Sequence, residues 1–198
     1  MSIVADMAKS SEGNADQALF NVVRDGICAD IQFVLKHGRT RAALILTFSG
    51  IDAMASLDRP EGAAFTSRDD FVHWVDSYLE FESGNVAGLE IYSARCAMLH
   101  TYGSTSRLSE QGKARQVSYT AGGGADILES PDVTNLVLIS VEGLAFAFFR
   151  AIGNYIESLI TDPNKRKLAA ARLLLMVHEF DLDHNATAET NAAQAQPV

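Results

Sequence analysis

Residues 40–57 read TRAALILTFSGIDAMASL, and this stretch decides the fold of the chain. Thr40 can cap a helix over residues 41–57, because a threonine hydroxyl accepts a hydrogen bond from the free amides of a first turn. Apolar side chains occupy nearly every side of that helix. A helix with so narrow a polar face is usually central in a bundle, since each apolar side must be covered by another element. We therefore predict an all-α fold, an up-and-down helical bundle built around residues 41–57.

Helical patterns flank the central segment on both sides. Apolar residues recur at three- and four-residue spacing, and Ser/Thr caps or glycine stops mark several of the ends. The further predicted helices cover residues 15–36, 66–81, 86–101, 142–159 and 165–180. Gly103 is the expected C-terminal cap of the helix over 86–101, because glycine adopts the left-handed conformation that ends many helices.

The segment around 115–140 has a different character. Residues 115–120 resemble a short strand, and Gly122-Gly-Gly124 follows as a flexible loop. Residues 133–141 are rich in branched side chains, and 135–140 within them resemble a partner strand. They predict a small β-hairpin inserted into the bundle. A continuous helix from Pro131 is the alternative.

Length and composition favour one globular domain. The chain has 198 residues, of which 47% are hydrophobic, so we predict a single domain over 15–184. Residues 1–14 form a predicted flexible arm, and 185–198 form a predicted disordered tail. The start of the chain lacks the pattern of a signal peptide, and the apolar stretch at 133–160 is interrupted by charge. We expect a soluble cytoplasmic protein that makes no contact with a membrane.

We expect no metal and no cofactor. Cys28 and Cys96 each lie in an apolar helical segment without a CxxC pattern, which favours reduced, structural thiols. The group His178, Asp181, Asp183 and His184 superficially resembles a metal site, but its spacing favours a solvated helix end. The net charge of −9 opposes nonspecific binding of nucleic acid, so any RNA site must depend on a local basic patch.

One segment combines residues that can carry chemistry. Residues 90–103 read EIYSARCAMLHTYG, in which Arg95 and His100 interrupt a largely apolar helix. Arginine is a permanently charged phosphate binder, and histidine exchanges protons near neutral pH. Five residues along a helix rotate by about 140° and rise by roughly 7.5 Å, so the two positions do not share one face. We therefore expect them to converge only through a distorted last turn at Gly103 or across a two-fold axis with a second subunit.

The Arg-x4-His spacing near the end of a helix, in a helical chain, resembles the Arg-x4–6-His signature of HEPN domains. The flanking Tyr-Ser-Ala-Arg and Leu-His-Thr-Tyr-Gly sequences are also similar to family members, and the resemblance covers about Ala15 to Tyr102. Cys96 stands directly after Arg95, where family members often carry a polar residue. The resemblance implies a helical, homodimeric protein, an RNA substrate and an antitoxin-like partner protein.

The resemblance also implies roles for individual residues. His100 would be the general acid or base at the ribose 2′-hydroxyl and the leaving oxygen of a metal-independent endoribonuclease. Arg95 would stabilise the negative charge that develops on the phosphate. Tyr102 would stack a base or orient a phosphate. Three further cations follow the motif and would supply the local basic patch. They are Arg107, Lys113 and Arg115.

A structural interpretation remains open beside the catalytic one. Arg95 can form an ion pair with Glu90 or with an acid on another helix, and His100 can bond the last carbonyls of its own helix. The protein would then be a non-catalytic homodimeric helical module for binding or interaction. Aromatic residues of the long helix are candidates for its partner surface, although a core position explains them equally well. They are Phe146, Phe148, Phe149 and Tyr155.

Overall fold

The computed structural model describes residues 20–122, 125–129, 133–173 and 175–176. Over these residues the chain is mostly helical and carries one small three-stranded sheet. The predicted arm at 1–14, the predicted tail at 185–198 and the group from His178 to His184 lie outside the described residues. None of the helices in the described ranges is long and apolar enough to cross a bilayer.

The order of elements follows the helical pattern of the sequence. A π-helical segment, Phe20–Cys28, leads directly into the first α-helix. The α-helices are α1 (Ala29–Lys36), α2 (Thr40–Asp58), α3 (Arg68–Tyr78), α4 (Gly88–Thr101), α5 (Arg107–Glu110), α6 (Val141–Thr161) and α7 (Pro163–Leu173). The strands are β1 (Gln116–Thr120), β2 (Ile127–Glu129) and β3 (Leu136–Ser140).

Helix α2 is the centre of the helical part, as its sequence predicted. It packs against α1, α3, α4, α6 and α7. Phe48, Ile51 and Met54 are completely shielded from solvent. Burial of one such side chain contributes about 1.5–3 kcal/mol, so this helix carries a large part of the apolar driving force.

The end of α4 differs from its prediction. Tyr102, and not Gly103, adopts the left-handed conformation, with φ of 55°. Its amide donates to the carbonyl of Met98 (3.0 Å), and the amide of Gly103 donates to that of Ala97 (3.2 Å). A left-handed conformation costs a non-glycine residue roughly 1–2 kcal/mol. A tertiary contact accompanies it here, since the Arg41 guanidinium of α2 lies 5.9 Å from the centre of the Tyr102 ring.

The predicted hairpin is wrong in its direction. Strands β1 and β3 do pair, but they run parallel, with Val117 opposite Val137. The antiparallel partner of β3 is β2, which the sequence did not indicate because it has only three residues. The connection between β1 and β3 is long enough to return the chain to the same end of the sheet, as a parallel pair requires. The alternative of a continuous helix from Pro131 is also wrong, because α6 begins only at Val141.

The sheet forms one side of the common core. Strand β1 packs against α4, and β3 packs against α6. Val137 and Ile139 of the central strand are fully buried. Ser140 ends β3 and caps α6, because its Oγ accepts a hydrogen bond from the amide of Gly143 at 3.1 Å. The turn from strand to helix therefore contains no intervening loop.

Helices α3 and α4 approach each other closely at Gly88. The amide of Gly88 donates to Oδ1 of Asp76 (2.6 Å) and thereby satisfies a free amide in the first turn of α4. A Cβ atom at this position would lie 2.6 Å from the backbone carbonyl oxygen of Val72. Only a residue without a side chain allows this crossing, which sets the position of α4.

We predict that Gly88→Ala lowers the free energy of unfolding by about 1–3 kcal/mol, because the new methyl group overlaps a backbone atom that cannot move alone. Urea unfolding followed by circular dichroism measures the change. Gly153→Ala on α6 is the matched control, because nothing lies within 4 Å of its Cβ position. The control should be stabilised by about 0.5–1 kcal/mol through helix propensity. Equal stability of the Gly88→Ala variant and the wild-type protein would contradict the close crossing.

Candidate active site

Arg95 is anchored to the central helix. Its Nη2 lies 2.8 Å from Oδ2 of Asp52 on α2, and its Nε donates to the same oxygen at 2.9 Å. Both side chains are partly buried, with 22% of Arg95 and 31% of Asp52 exposed. This confirms that Arg95 pairs with an acid from another helix. Asp52 was not predicted as a partner from the sequence. Its position as a lone carboxylate in a nearly all-apolar helix could have indicated that role.

The ion pair keeps the guanidinium charged. Burial by itself favours loss of the charge, but the hydrogen bonds to Asp52 outweigh this effect, so the pKa of Arg95 is raised above its usual value. Because Asp52 takes up Nε and Nη2, the direction of the guanidinium is set by a second helix. The remaining nitrogen, Nη1, points along α4.

His100 lies at that remaining nitrogen. Its Nε2 is 3.4 Å from Nη1 of Arg95, and the imidazole is exposed to solvent. A guanidinium has donors only, so the lone pair of Nε2 faces Arg95 in this contact. The two residues therefore converge within one chain. The expectation that convergence requires a distorted turn at Gly103 or a second subunit is wrong.

The reason is the length of the arginine side chain. The rotation of about 140° between the two positions describes the Cα atoms of a regular helix. A guanidinium at the end of a flexible stem can reach along the helix surface toward the C-terminal end. The helix runs without interruption to Thr101, so no distortion is needed.

Two tyrosines border the pair. The Arg95 guanidinium lies 6.0 Å from the centre of the Tyr92 ring, which is one turn earlier on α4. Tyr102 is 57% exposed and lies next to Arg41. The predicted binding residue Tyr102 thus lies two residues after His100, at the C-terminal cap of the same helix, and Arg41 is a cation beside it that the sequence did not indicate.

The three predicted cations have different environments. Arg107 is exposed at the first position of α5, and Lys113 is exposed in the turn after this helix. Arg115 is engaged in the structure itself. Its Nε donates to Glu90 at 2.5 Å, its Nη1 donates to Glu129 at 3.2 Å, and its Nη2 donates to the carbonyl of Asn85 at 3.0 Å. Since these acceptors occupy its donors, we leave Arg115 out of the proposed site.

The arrangement at Arg95 and His100 can carry out acid–base chemistry on an anion. An exposed imidazole with a lone pair can accept a proton, and a fixed cation beside it can stabilise negative charge as it develops. Within the described ranges, His, Cys, Asp and Glu side chains do not gather in groups of three that fit a metal ion.

Comparison of the chain with models of protein families, with curated proteins and with solved structures found no match.

The Glu90–Arg115 pair makes stability depend on pH. Burial alone raises the pKa of Glu90, but hydrogen bonds from Arg115 and from the amide of Ala87 outweigh it, so the pKa of Glu90 lies below its usual value. A lowered pKa in the folded state adds stability above the unfolded pKa of 4.5. That stability is lost as the pH falls through the folded pKa.

We predict that Glu90→Gln lowers the free energy of unfolding by about 2–3 kcal/mol at pH 7, because it removes charge-assisted hydrogen bonds to a buried group. The difference from the wild-type protein should shrink as the pH falls below 4.5 and through the lowered pKa of folded Glu90, because the wild-type carboxylate then becomes protonated. Urea unfolding at a series of pH values measures it. Glu129→Gln is the control, because the side chain of Glu129 is 79% exposed and should contribute less than about 1 kcal/mol. A difference for Glu90→Gln that stays constant with pH would refute the role of the charge.

Proposed function

We propose that the protein is a HEPN-like, metal-independent endoribonuclease that acts as a homodimer through Arg95 and His100. The observation that carries this proposal is the contact between Nη1 of Arg95 and Nε2 of His100, at 3.4 Å, on an exposed helix end. The Arg-x4-His spacing supplies the resemblance, and the geometry supplies an acid–base group beside an anchored cation. The contact is long and exposed, so a bound phosphate can draw Nη1 of Arg95 away and free Nε2 of His100 to act as the base.

The chemistry follows from the two groups. When Nη1 of Arg95 turns from Nε2 of His100 to a bound phosphate, Nε2 takes the proton of a ribose 2′-hydroxyl, and the 2′-oxygen attacks the adjacent phosphorus. The bond from phosphorus to the 5′-oxygen then breaks, which leaves a 2′,3′-cyclic phosphate on one product and a 5′-hydroxyl on the other. Arg95 stabilises the additional negative charge of the phosphorane, and Asp52 positions Arg95 for this task.

The need for protons on two sides supports the homodimer. In an in-line displacement the attacking and leaving oxygens lie on opposite sides of the phosphorus, so one imidazole does not reach both. His100 of the partner subunit would protonate the leaving 5′-oxygen if two copies of α4 meet across a two-fold axis. The Arg95 guanidinium, held by its own chain, would then face the phosphate between the two imidazoles.

Local charge supports an RNA substrate despite the overall charge of −9. Arg41 lies beside Tyr102 at the end of α4, and Arg107 is exposed at the start of the next helix. Together with Arg95 they give three arginines on α4 or beside it. Phosphate groups are bound mainly by such local cations, and the acidity of the rest of the surface limits nonspecific binding.

The second candidate function is that of a non-catalytic homodimeric module. An antitoxin-like partner protein would then bind to this homodimer. The ion pair between Arg95 and Asp52 favours it, because a structural arginine makes the same contact. Of the aromatic residues considered for a partner surface, Phe148 and Tyr155 are fully buried and belong to the core. Phe146 is 55% exposed and lies 6.2 Å from the ring of Phe149, so these two rings remain for such a surface.

We predict that His100→Ala lowers the rate of RNA cleavage by at least about 100-fold, the usual effect of removing a general acid or base. Cleavage of a fluorescent single-stranded RNA in the presence of EDTA measures the rate, and the product should end in a 2′,3′-cyclic phosphate. His73→Ala is the matched control, because His73 is an exposed histidine on α3, and it should cut at the wild-type rate. Equal rates for the wild-type protein and His100→Ala would exclude the nuclease.

The second candidate makes a separate prediction about the homodimer. If the Phe146 surface joins two subunits, Phe146→Asp should raise the dissociation constant of the dimer at least ten-fold, because it places a charge in an apolar contact. Analytical ultracentrifugation over a range of concentrations measures it. Ile160→Asp is the control on the same helix, at a side chain that is 72% exposed. An unchanged dimer in Phe146→Asp would reject this surface.

A further inference from the structure

An open pocket lies on the face of α4 that adjoins the Arg95–His100 pair. Its volume is about 450 Å³, within the range of sites that bind small molecules. The start of α3, the middle of α4 and the start of α5 form its walls. The side chains that line the pocket include Arg68, Asp69, Tyr92, Cys96, Arg107 and Leu108.

Serine side chains hold the walls of this pocket in place. Ser67 caps α3, since its Oγ accepts a hydrogen bond from the amide of Asp70 at 3.2 Å. Ser106 caps α5 in the same way, and its Oγ lies 2.6 Å from Oγ of Ser93 on α4. Arg68 and Arg107 are the first residues of these two capped helices, so the caps fix the backbone that carries them.

Two arginines give the pocket its positive charge. Arg107 is exposed, and Arg68 is bonded to the neighbouring carboxylate of Asp69 at 3.1 Å. The side chains of Arg68 and Asp69 are 52% and 82% exposed, so this ion pair contributes little free energy. A phosphate offers a guanidinium stronger, bidentate hydrogen bonds, and it can replace the carboxylate.

Tyr92 supplies an aromatic surface in the same pocket. Its ring is half-buried and is supported from one side by the edge contact to Phe71, at 5.4 Å between ring centres. Any nucleobase can stack on such a ring, because every base has an aromatic face. The guanidinium of Arg95 lies 6.0 Å from the same ring, so the pocket and the candidate catalytic pair share a border.

We propose that this pocket binds one nucleotide unit, with its base against Tyr92 and its phosphate between Arg68 and Arg107. The proposal rests on the proposed function, because a nucleotide in this pocket would place the next phosphate of an RNA strand toward Arg95 and His100. A free nucleoside monophosphate has the same chemistry as one unit of a strand. The two sources are distinguished by the experiment.

Cys96 provides the reporter for occupation of the pocket. It lines the pocket and is partly exposed, whereas Cys28 is buried. Burial raises the pKa of the Cys28 thiol to about 11, which keeps it protonated and slow to react. Alkylation by iodoacetamide at pH 7.5, followed by mass spectrometry of the intact chain, therefore reports on Cys96. A Cys96→Ala variant identifies the modified site.

Alkylation is measured with adenosine monophosphate, with a 2′-O-methylated hexanucleotide that cannot be cut, and without ligand. We expect a saturating ligand to slow the alkylation of Cys96 at least five-fold. Arg107→Glu should abolish this protection. It should also raise the dissociation constant of the same hexanucleotide, carrying a fluorescent label, at least ten-fold. Lys167→Glu makes the same change of charge at an exposed position on α7. This control should retain the protection of Cys96 and the affinity for the hexanucleotide.

Protection by the hexanucleotide, alone or together with the monophosphate, supports an RNA strand as the source. Protection by the monophosphate alone supports the same site with a free nucleotide as its ligand. Absence of protection by either ligand, or equal protection in Arg107→Glu, would overturn the proposal. If ligands protect Cys96 but the wild-type protein does not cut RNA, the nuclease function is rejected and the nucleotide-binding pocket is kept. If the protein cuts RNA in a reaction that depends on His100 but no ligand protects Cys96, the pocket is rejected and the nuclease function is kept.

Discussion

The rest of the structure depends on the burial of one broad face of α2. Phe48, Ile51 and Met54 on this face are all excluded from water. Because no side of this helix is apolar and free, α1, α3, α4, α6 and α7 are arranged around it. One polar side chain of α2, Asp52, lies at the boundary with α4, and there it binds Arg95. The constraint that organises the core thus also directs the guanidinium of the candidate active site.

The position of α4 links the packing to the chemistry. Gly88 lets this helix approach the backbone of α3, and Asp76 satisfies its first amide. Near the start of the helix Glu90 is buried with Arg115, and in its middle Arg95 is held by Asp52. Only the last turn, with His100 and Tyr102, is left to solvent. A helix that is fixed over most of its length and exposed at its end can present reactive groups in a defined geometry, because its own side chains no longer need to be ordered when substrate binds.

Much of the helical part was predictable, and so were the positions of β1 and β3, but the direction of their pairing and the strand β2 were not. Ser67 and the acids after it marked the start of α3, and the apolar repeat marked α2, because capping and periodicity are local properties of the chain. The direction of β1 relative to β3 depends on where the chain returns after 120, which no local pattern encodes. Tyr102 took the left-handed position instead of Gly103 because the extent of α4 is set by its packing and not by the preference of one residue. Arg95 and His100 were identified from residue type, but their mutual contact was missed because the argument used backbone rotation without side-chain reach.

The sequence by itself determined that the chain is mostly helical, that residues 41–57 lie at the centre, and that Arg95 and His100 are the unusual pair of α4. These conclusions follow from periodicity and residue chemistry, which act over a few residues. Only the tertiary structure decided that Asp52 anchors Arg95, that Arg115 is occupied by Glu90 and Glu129, and that Tyr92, Arg68 and Arg107 border one pocket. Each of these contacts joins residues from different elements, and the distance between such residues is set by the packing of whole helices around α2.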